Sequence, residues 1–401
     1  MLRTLYPLKH DPASPIGVMF SGGGARGAFQ VGVWEVLSEH PRGLAGFPPA
    51  VISGTSAGAI NGALIVAGLR PTELLEFWIG LAERPPVKAN DRFFADLQRV
   101  LLQLAAREPV RGLARRGREA RIAMGLFGKH RWYRQSDVWA MVMEFLLTAR
   151  FDNISHLLDG IQASYLFDTS AFRERLREAI GGDTLPRSDI KLAINTVAID
   201  TGSVLRIVNA EPAKRPQSAH HYLYAPDITL DMILASASIP LLFNPVEVEG
   251  KLLWDGGLLV NSPMAPAVAL GARRIIPVLV TRGAGMTNTI EDFGHAIERL
   301  VDTFLENAYN VDRKLLLDRN VLASKLPAEN LAVVSLFEAI RPTSAEVFNA
   351  GSYLYFEKQA LIRMYQAGRV AAREWLSKGP IRDGRDKPDT FEARERMEAE
   401  G

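Results

Sequence analysis

Short apolar runs alternate with segments of helical period along most of this chain. Ile16 to Phe20 is the first run; the glycine turn Ser21-Gly22-Gly23-Gly24-Ala25-Arg26-Gly27 follows it and opens into a helical segment. Ala50 to Ile52 repeats the plan, with Gly54-Thr55-Ser56-Ala57-Gly58 as its turn. Residues 71 to 180 are mostly helical in period. Strands are predicted at Ile190 to Ile199 and Ser203 to Asn209, joined by Asp200-Thr201-Gly202, a good hairpin turn. Residues 211 to 227, with Pro212, Pro216 and Pro226, are predicted as a loop. Beyond them the pattern predicts a helix at Leu230 to Ser238, strands at Pro245 to Glu249 and Lys251 to Trp254, a helix at Met264 to Leu270 and a strand at Arg274 to Thr281. After a connector at Gly283 to Thr289, helical period returns at Glu291 to Leu322 and Ser344 to Leu376, with a strand at Leu331 to Ser335 between them. The charged stretch from Lys378 to Gly401, poor in apolar residues, is predicted to be disordered. Alternating strands and helices predict a three-layer α/β domain around a mostly parallel sheet.

The two turns carry chemistry as well as topology. In Gly-x-Ser-x-Gly the tight turn leaves no room for side chains two residues either side of the serine, so the Ser56 hydroxyl stands exposed at a helix N-terminus. Amides at that helix start are unpaired and meet negative charge with the positive end of a dipole. The Gly22 to Gly24 run can turn several further N–H groups toward one oxygen. Two donor loops converging on one serine suggest acyl transfer. A later Asp255-Gly256-Gly257 supplies a candidate base.

Each element also has a plainer explanation. Gly22, Gly24 and Gly27 fit the dinucleotide pattern Gly-x-Gly-x-x-Gly, but the acid expected about 20 residues on is missing, because no Asp or Glu occurs between Glu39 and Glu73. Gly54 to Gly58 alone is also a tight strand-to-helix turn, Asp255-Gly256-Gly257 alone an ordinary one, and Arg26 equally a solvated helix-start residue. A Ser56, Asp255, His295 triad would have the chain order of an α/β-hydrolase. Against it, Ser56 follows only one earlier strand and helix, and His295 sits in a long amphipathic helical segment.

Taken in order, these residues resemble the patatin-like phospholipases, whose pattern is a Gly-Gly-Gly-x-Arg/Lys-Gly loop, a Gly-x-Ser-x-Gly elbow and a later Asp-Gly-Gly/Ala. Ala235-Ser236-Ala237-Ser238-Ile239-Pro240, with Phe243 and Pro245 after it, resembles the segment this family carries shortly before its aspartate. The resemblance covers roughly residues 14 to 285. It implies a three-layer α/β/α patatin-like fold and a Ser56–Asp255 dyad with Ser56 as nucleophile and Asp255 as general base. It further implies an oxyanion hole from the amides of Gly22, Gly23 and Gly24, and a role for Arg26 in placing an anionic lipid head group. The expected activity is a phospholipase A or lysophospholipase, with a transacylase or a non-catalytic binding protein on the same fold as alternatives. The expected organisation is a catalytic domain over 14–285 with a helical, partly basic insertion or lid at 71–180, a C-terminal helical extension over 286–376 and the tail 377–401.

Composition is consistent with that expectation. The chain has 401 residues, 23% of them charged, and no cysteine, so neither disulfides nor a thiolate metal site is available. No apolar run reaches the length of a spanning helix, and Met1 to Pro15 lacks the apolar stretch of a secretory signal. A cytoplasmic enzyme, peripheral at a membrane, that uses no metal or other cofactor is the expectation. The net charge of +2 hides an uneven distribution, because Arg99 to Arg134 holds ten Lys and Arg against two acids. Interleaved with Leu, Phe and Trp, this stretch suits either an anionic membrane surface or an insertion packed on the core. It shows no nucleic-acid motif, and oligomeric state is not legible.

Overall fold

The computed structural model describes residues 14–39, 47–84, 87–107, 158–212, 221–283, 293–325, 333–343, 348, 350–353 and 355–378. Two compact units are present: residues 1–87, 169–240 and 245–401 form the first, and residues 88–168 with 241–244 the second.

The first unit is built on a mostly parallel sheet. Its strands are β1 (Ile16–Phe20), β2 (Val51–Thr55), β5 (Lys191–Ala198), β6 (Ser203–Val208), β7 (His221–Tyr224), β8 (Val246–Val248), β9 (Lys251–Asp255), β10 (Arg274–Val278) and β11 (Ser335–Leu336). They run in the order β11-β10-β1-β2-β5-β6-β7, with β9 also paired to β5 and β8 to β9. β1, β2 and β10 are buried along their whole length, as continuous apolar runs covered on both faces should be. One face meets α1 (Gly27–Glu39), α2 (Ala57–Val66), α3 (Pro71–Glu83), α5 (Ser170–Ile180), α6 (Leu230–Ala235) and α9 (Lys358–Lys378). The other face meets α7 (Met264–Ala269) and α8 (Phe293–Lys325). This is the three-layer α/β/α arrangement.

β1 is where the sheet order turns, since the chain pairs β2 on one side of it and returns with β10 on the other. Crevices at the carboxyl ends of strands beside such a point are where open α/β sheets hold ligands. Phe20 is level with Gly54 and with Val278, so the glycine turn after β1 and the serine turn after β2 emerge side by side. A buried network supports the first turn from behind. Trp78 Nε1 donates to Asn61 Oδ1 at 2.8 Å, Asn61 Nδ2 donates to Gln30 Oε1 and the Gly27 carbonyl at 2.9 Å, and Gln30 Nε2 donates to the Ser21 carbonyl at 2.7 Å. α9 is tied to α1 where Glu35 receives the Tyr365 hydroxyl at 2.6 Å and pairs with Arg369 at 2.7 Å.

In the second unit, α4 (Asp91–Arg107) lies between β3 (Lys88–Ala89) and β4 (Phe167–Asp168), which pair antiparallel. Asp96, buried on α4, pairs with Arg99 at 3.0 Å and accepts the Gln162 amide at 3.1 Å. Thus α3 and α5, inside the segment expected as one helical insertion, belong to the first unit. Residues 108–157, which hold most of the basic stretch, lie outside the described residues, as does the tail from 379 onward.

Three sequence expectations are corrected. The span 211–227 is not wholly loop: its end forms β7, which pairs parallel with β6 through Tyr222 and Tyr224, aromatic residues suited to a half-buried strand. The strand expected at Leu331 to Ser335 has residues 331 and 332 outside the described ones, and among the described residues it pairs at Ser335–Leu336. The last helix begins at Lys358, because the Glu357 carboxylate caps it, accepting the amides of Gln359 and Ala360 at 3.0 and 2.9 Å; a 3-10 turn occupies Ala350–Tyr353 upstream.

Candidate active site

Ser56 stands between β2 and α2 with φ 54° and ψ −123°. A non-glycine residue at positive φ stores strain, of order 1–3 kcal/mol. The flanking glycines permit it, because a Cβ at Gly54 would overlap the Gly58 carbonyl and one at Gly58 would overlap that of Phe20. The Ser56 amide donates to Ser236 Oγ at 2.9 Å, and Ser236 Oγ donates to the Asn195 carbonyl at 2.7 Å. No side chain caps α2, which leaves the Ala57 and Gly58 amides at the site end of the helix dipole.

Asp255 ends β9, where it is level with Thr196 of β5, and its amide donates to the Ser238 carbonyl at 2.9 Å. Its carboxylate accepts the Gly257 amide at 2.6 Å, and the Ser56 hydroxyl lies near enough to draw its pKa down. Burial raises its pKa from 3.8 to about 6 against the opposing pull of the Gly257 amide and the Ser56 hydroxyl. A buried carboxylate with its pKa raised toward neutrality is chemically able to accept a proton there.

The glycine loop closes the site from the β1 side. A Cβ on Gly22 would stand 2.5 Å from Asn261 Oδ1 and 3.1 Å from the Ser56 Cβ. The Gly22 amide is engaged by the Asn261 carbonyl at 3.3 Å, so of the three amides expected as oxyanion donors this one is committed. For those of Gly23 and Gly24 no hydrogen bond is found among the described residues; Gly24 adopts φ 54°. Asn261 Nδ2 also reaches the Gly22 carbonyl at 3.5 Å, and Thr55 Oγ1 donates to the Val260 carbonyl at 3.0 Å. The loop after Asp255 is in this way stitched to both turns. The Asn261 and Ser236 contacts lay outside sequence reasoning; the one available signal was the motif-like segment around Ser236.

Arg26, expected to place a head group, is engaged inside the protein. Its side chain is fully buried, pairs with Asp302 at 3.0 Å, donates to Ser352 Oγ at 2.7 Å and the Val280 carbonyl at 3.2 Å, and stacks on the Tyr353 ring at 3.7 Å. Tyr353 donates its hydroxyl to the same Asp302 carboxylate. The guanidinium fork is thus filled by the protein itself and fastens the glycine turn to α8 and the 350–353 turn. His295 lies in α8, with its side chain outside the described residues; among the described residues no histidine bonds Ser56 or Asp255. Nor, among them, do three His, Cys, Asp or Glu side chains gather as a metal site, and among the described residues no helix is long and apolar enough to cross a membrane.

A family model described as patatin-like phospholipase matches residues 18–268. Lysophospholipase nte1 of Aspergillus terreus is 53% identical over 49 residues, which are 12% of this chain and 3% of that protein, so the chain matches a small part of that relative's length. Among solved structures, VipD from Legionella pneumophila is 15% identical with a TM-score of 0.37, over 92% of this chain and 67% of that one. The type III effector protein ExoU is 17% identical with a TM-score of 0.31, over 92% of this chain and 56% of that one.

Proposed function

The chain belongs to the patatin-like phospholipase family, and from that premise we propose that it is a lipid acyl hydrolase of phospholipase A or lysophospholipase type working through an acyl-Ser56 intermediate. The observation that carries the proposal is the buried Asp255 carboxylate beside the Ser56 hydroxyl, its pKa raised to about 6. As the Ser56 oxygen attacks the ester carbonyl, Asp255 takes the hydroxyl proton. The tetrahedral oxyanion is received by the amides of Gly23 and Gly24 and by those at the start of α2. Removing one such donor typically lowers the rate about 100- to 1000-fold. Collapse breaks the bond to the alcohol, which leaves with the proton from Asp255. The carboxylate then deprotonates a water that attacks the acyl-serine, and the second collapse frees the fatty acid and returns the proton to Ser56.

The test is intact-mass spectrometry after treatment with a fluorophosphonate ester, beside hydrolysis of a short-chain nitrophenyl ester. One adduct is expected on the wild type and none on Ser56→Ala, with hydrolysis lost in Ser56→Ala and Asp255→Asn. Hydrolysis that persists in Ser56→Ala would refute the acyl-serine route. Adding a competing alcohol and analysing products tells a hydrolase from a transacylase.

A further inference from the structure

The segment Ala235-Ser236-Ala237-Ser238-Ile239-Pro240 has no part in the chemistry above, yet it touches both halves of the dyad. Ser236, fully buried at the end of α6, accepts the Ser56 amide at 2.9 Å and donates to the Asn195 carbonyl at 2.7 Å. Two residues on, the Ser238 carbonyl accepts the Asp255 amide at 2.9 Å. The Asn195 carbonyl also abuts Gly256, where an added Cβ would overlap it. Asn195 of β5 is therefore a shared anchor: the aspartate turn abuts it directly, the strand β2 pairs with it up to Thr55, and Ser56 itself is tied to it through the Ser236 hydroxyl.

The elbow needs such an anchor. Ser56 holds a strained φ of 54°, and no side chain caps the helix it opens. We infer that Ser236 is a positioning residue: its hydroxyl ties the Ser56 backbone to β5 beside the Asp255–Gly256 turn and so sets the nucleophile's oxygen against the carboxylate. Without that hydroxyl, the Ser56 N–H and the Asn195 carbonyl lose their shared partner inside the protein, and the elbow can relax toward ordinary angles. A displacement of about 1 Å at reacting atoms is enough to lose about 100-fold in rate. The loss falls on kcat and on nucleophile labelling, and leaves KM unchanged, because Ser236 meets no substrate.

The inference rests on the acyl-serine reading, and its test separates the two. Ser236→Thr and Ser236→Val have the same shape and differ only in the hydroxyl. The rate constant for fluorophosphonate labelling of Ser56, with kcat and KM for a nitrophenyl ester, is measured for both and for the wild type. Asn209→Ala serves as a destabilised control: it unties the Leu192 amide at the far end of β5, a bond of 2.7 Å, and should label at the wild-type rate. Ser236→Thr is expected to label close to wild type, and Ser236→Val about 10-fold or more slowly with KM unchanged. Equal labelling of Thr and Val variants, with the wild type labelled, overturns the inference alone. An unlabelled wild type overturns the acyl-serine reading and the inference with it. If the Val variant does not fold, Ser236→Ala against Ser236→Thr makes the same comparison.

Discussion

Replacing Asp255 by Asn removes the proposed base and, by the same change, is expected to make the folded protein more stable at neutral pH. The carboxyl titrates at about 6 in the fold against an ordinary 3.8, a difference of roughly two pH units caused first by burial. At 1.36 kcal/mol for each, that is about 3 kcal/mol held against the folded state once the group is ionised. The sign follows from which state lets its proton go first. Below pH 4 both states are protonated and the burden is absent. Between pH 4 and 6 the unfolded chain releases the proton while the fold retains it, so stability falls as pH rises. Above pH 6 the loss is complete. Asn carries no charge to desolvate, and its Oδ1 can still accept the Gly257 amide, so the variant escapes the burden while keeping that contact. That free-energy figure is already net of the Gly257 and Ser56 contributions, which hold the pKa down. Urea denaturation of both proteins at pH 4, 6 and 7.5 measures it, with ester hydrolysis alongside. The expected pattern is a stability gain that is near zero at pH 4 and grows toward pH 7.5, with turnover down about 100-fold or more. A gain that does not vary with pH, or a loss at pH 7.5, would refute the account of Asp255 as a desolvated carboxylate held for its basicity.

The same titration predicts that kcat/KM rises through about pH 6 and is flat above it, since only ionised Asp255 accepts the Ser56 proton; a pH-rate profile with no inflection between pH 5 and 7 would contradict it. Gly22→Ala would force a methyl to 2.5 Å from Asn261 Oδ1 and 3.1 Å from the Ser56 Cβ, so labelling of Ser56 is expected to drop by about 100-fold as the oxyanion loop shifts. Arg26→Met leaves Asp302 without its 3.0 Å ionic partner and is expected to destabilise the protein by about 3–5 kcal/mol, seen as a lower urea midpoint; a raised KM with unchanged stability would instead support the head-group role. If the basic stretch seats the enzyme on a membrane, changing Arg115, Arg116, Arg118 and Arg121 to Gln weakens binding to anionic vesicles by about 1 kcal/mol for each residue near the surface, and vesicle sedimentation at two salt concentrations reads the effect.

What the sequence displays and what it conceals divide by the range of the interaction. The elbow was legible because its requirements are local: Gly54 and Gly58 are set by backbone that lies within four residues or on the adjacent strand β1. The parallel sheet was legible for a related reason, since β1, β2 and β10 are apolar on both faces and no exposed strand would be. The surroundings of Arg26 were not legible, because the four letters around it are the same whatever its guanidinium meets, and Asp302 stands 276 residues away. The short pairing of β11 and the late start of the last helix are likewise decided by distant strand partners and one capping carboxylate. Ser236 is the most instructive of these cases. Its bond to the Ser56 amide spans 180 residues, and no periodicity announces it. Yet a strained serine elbow, uncapped at its helix, implies that some group elsewhere must hold it. Strain that is visible locally is thus a reason to look for a remote restraint, and a serine that has no chemistry of its own beside the proposed dyad is the kind of residue that supplies it.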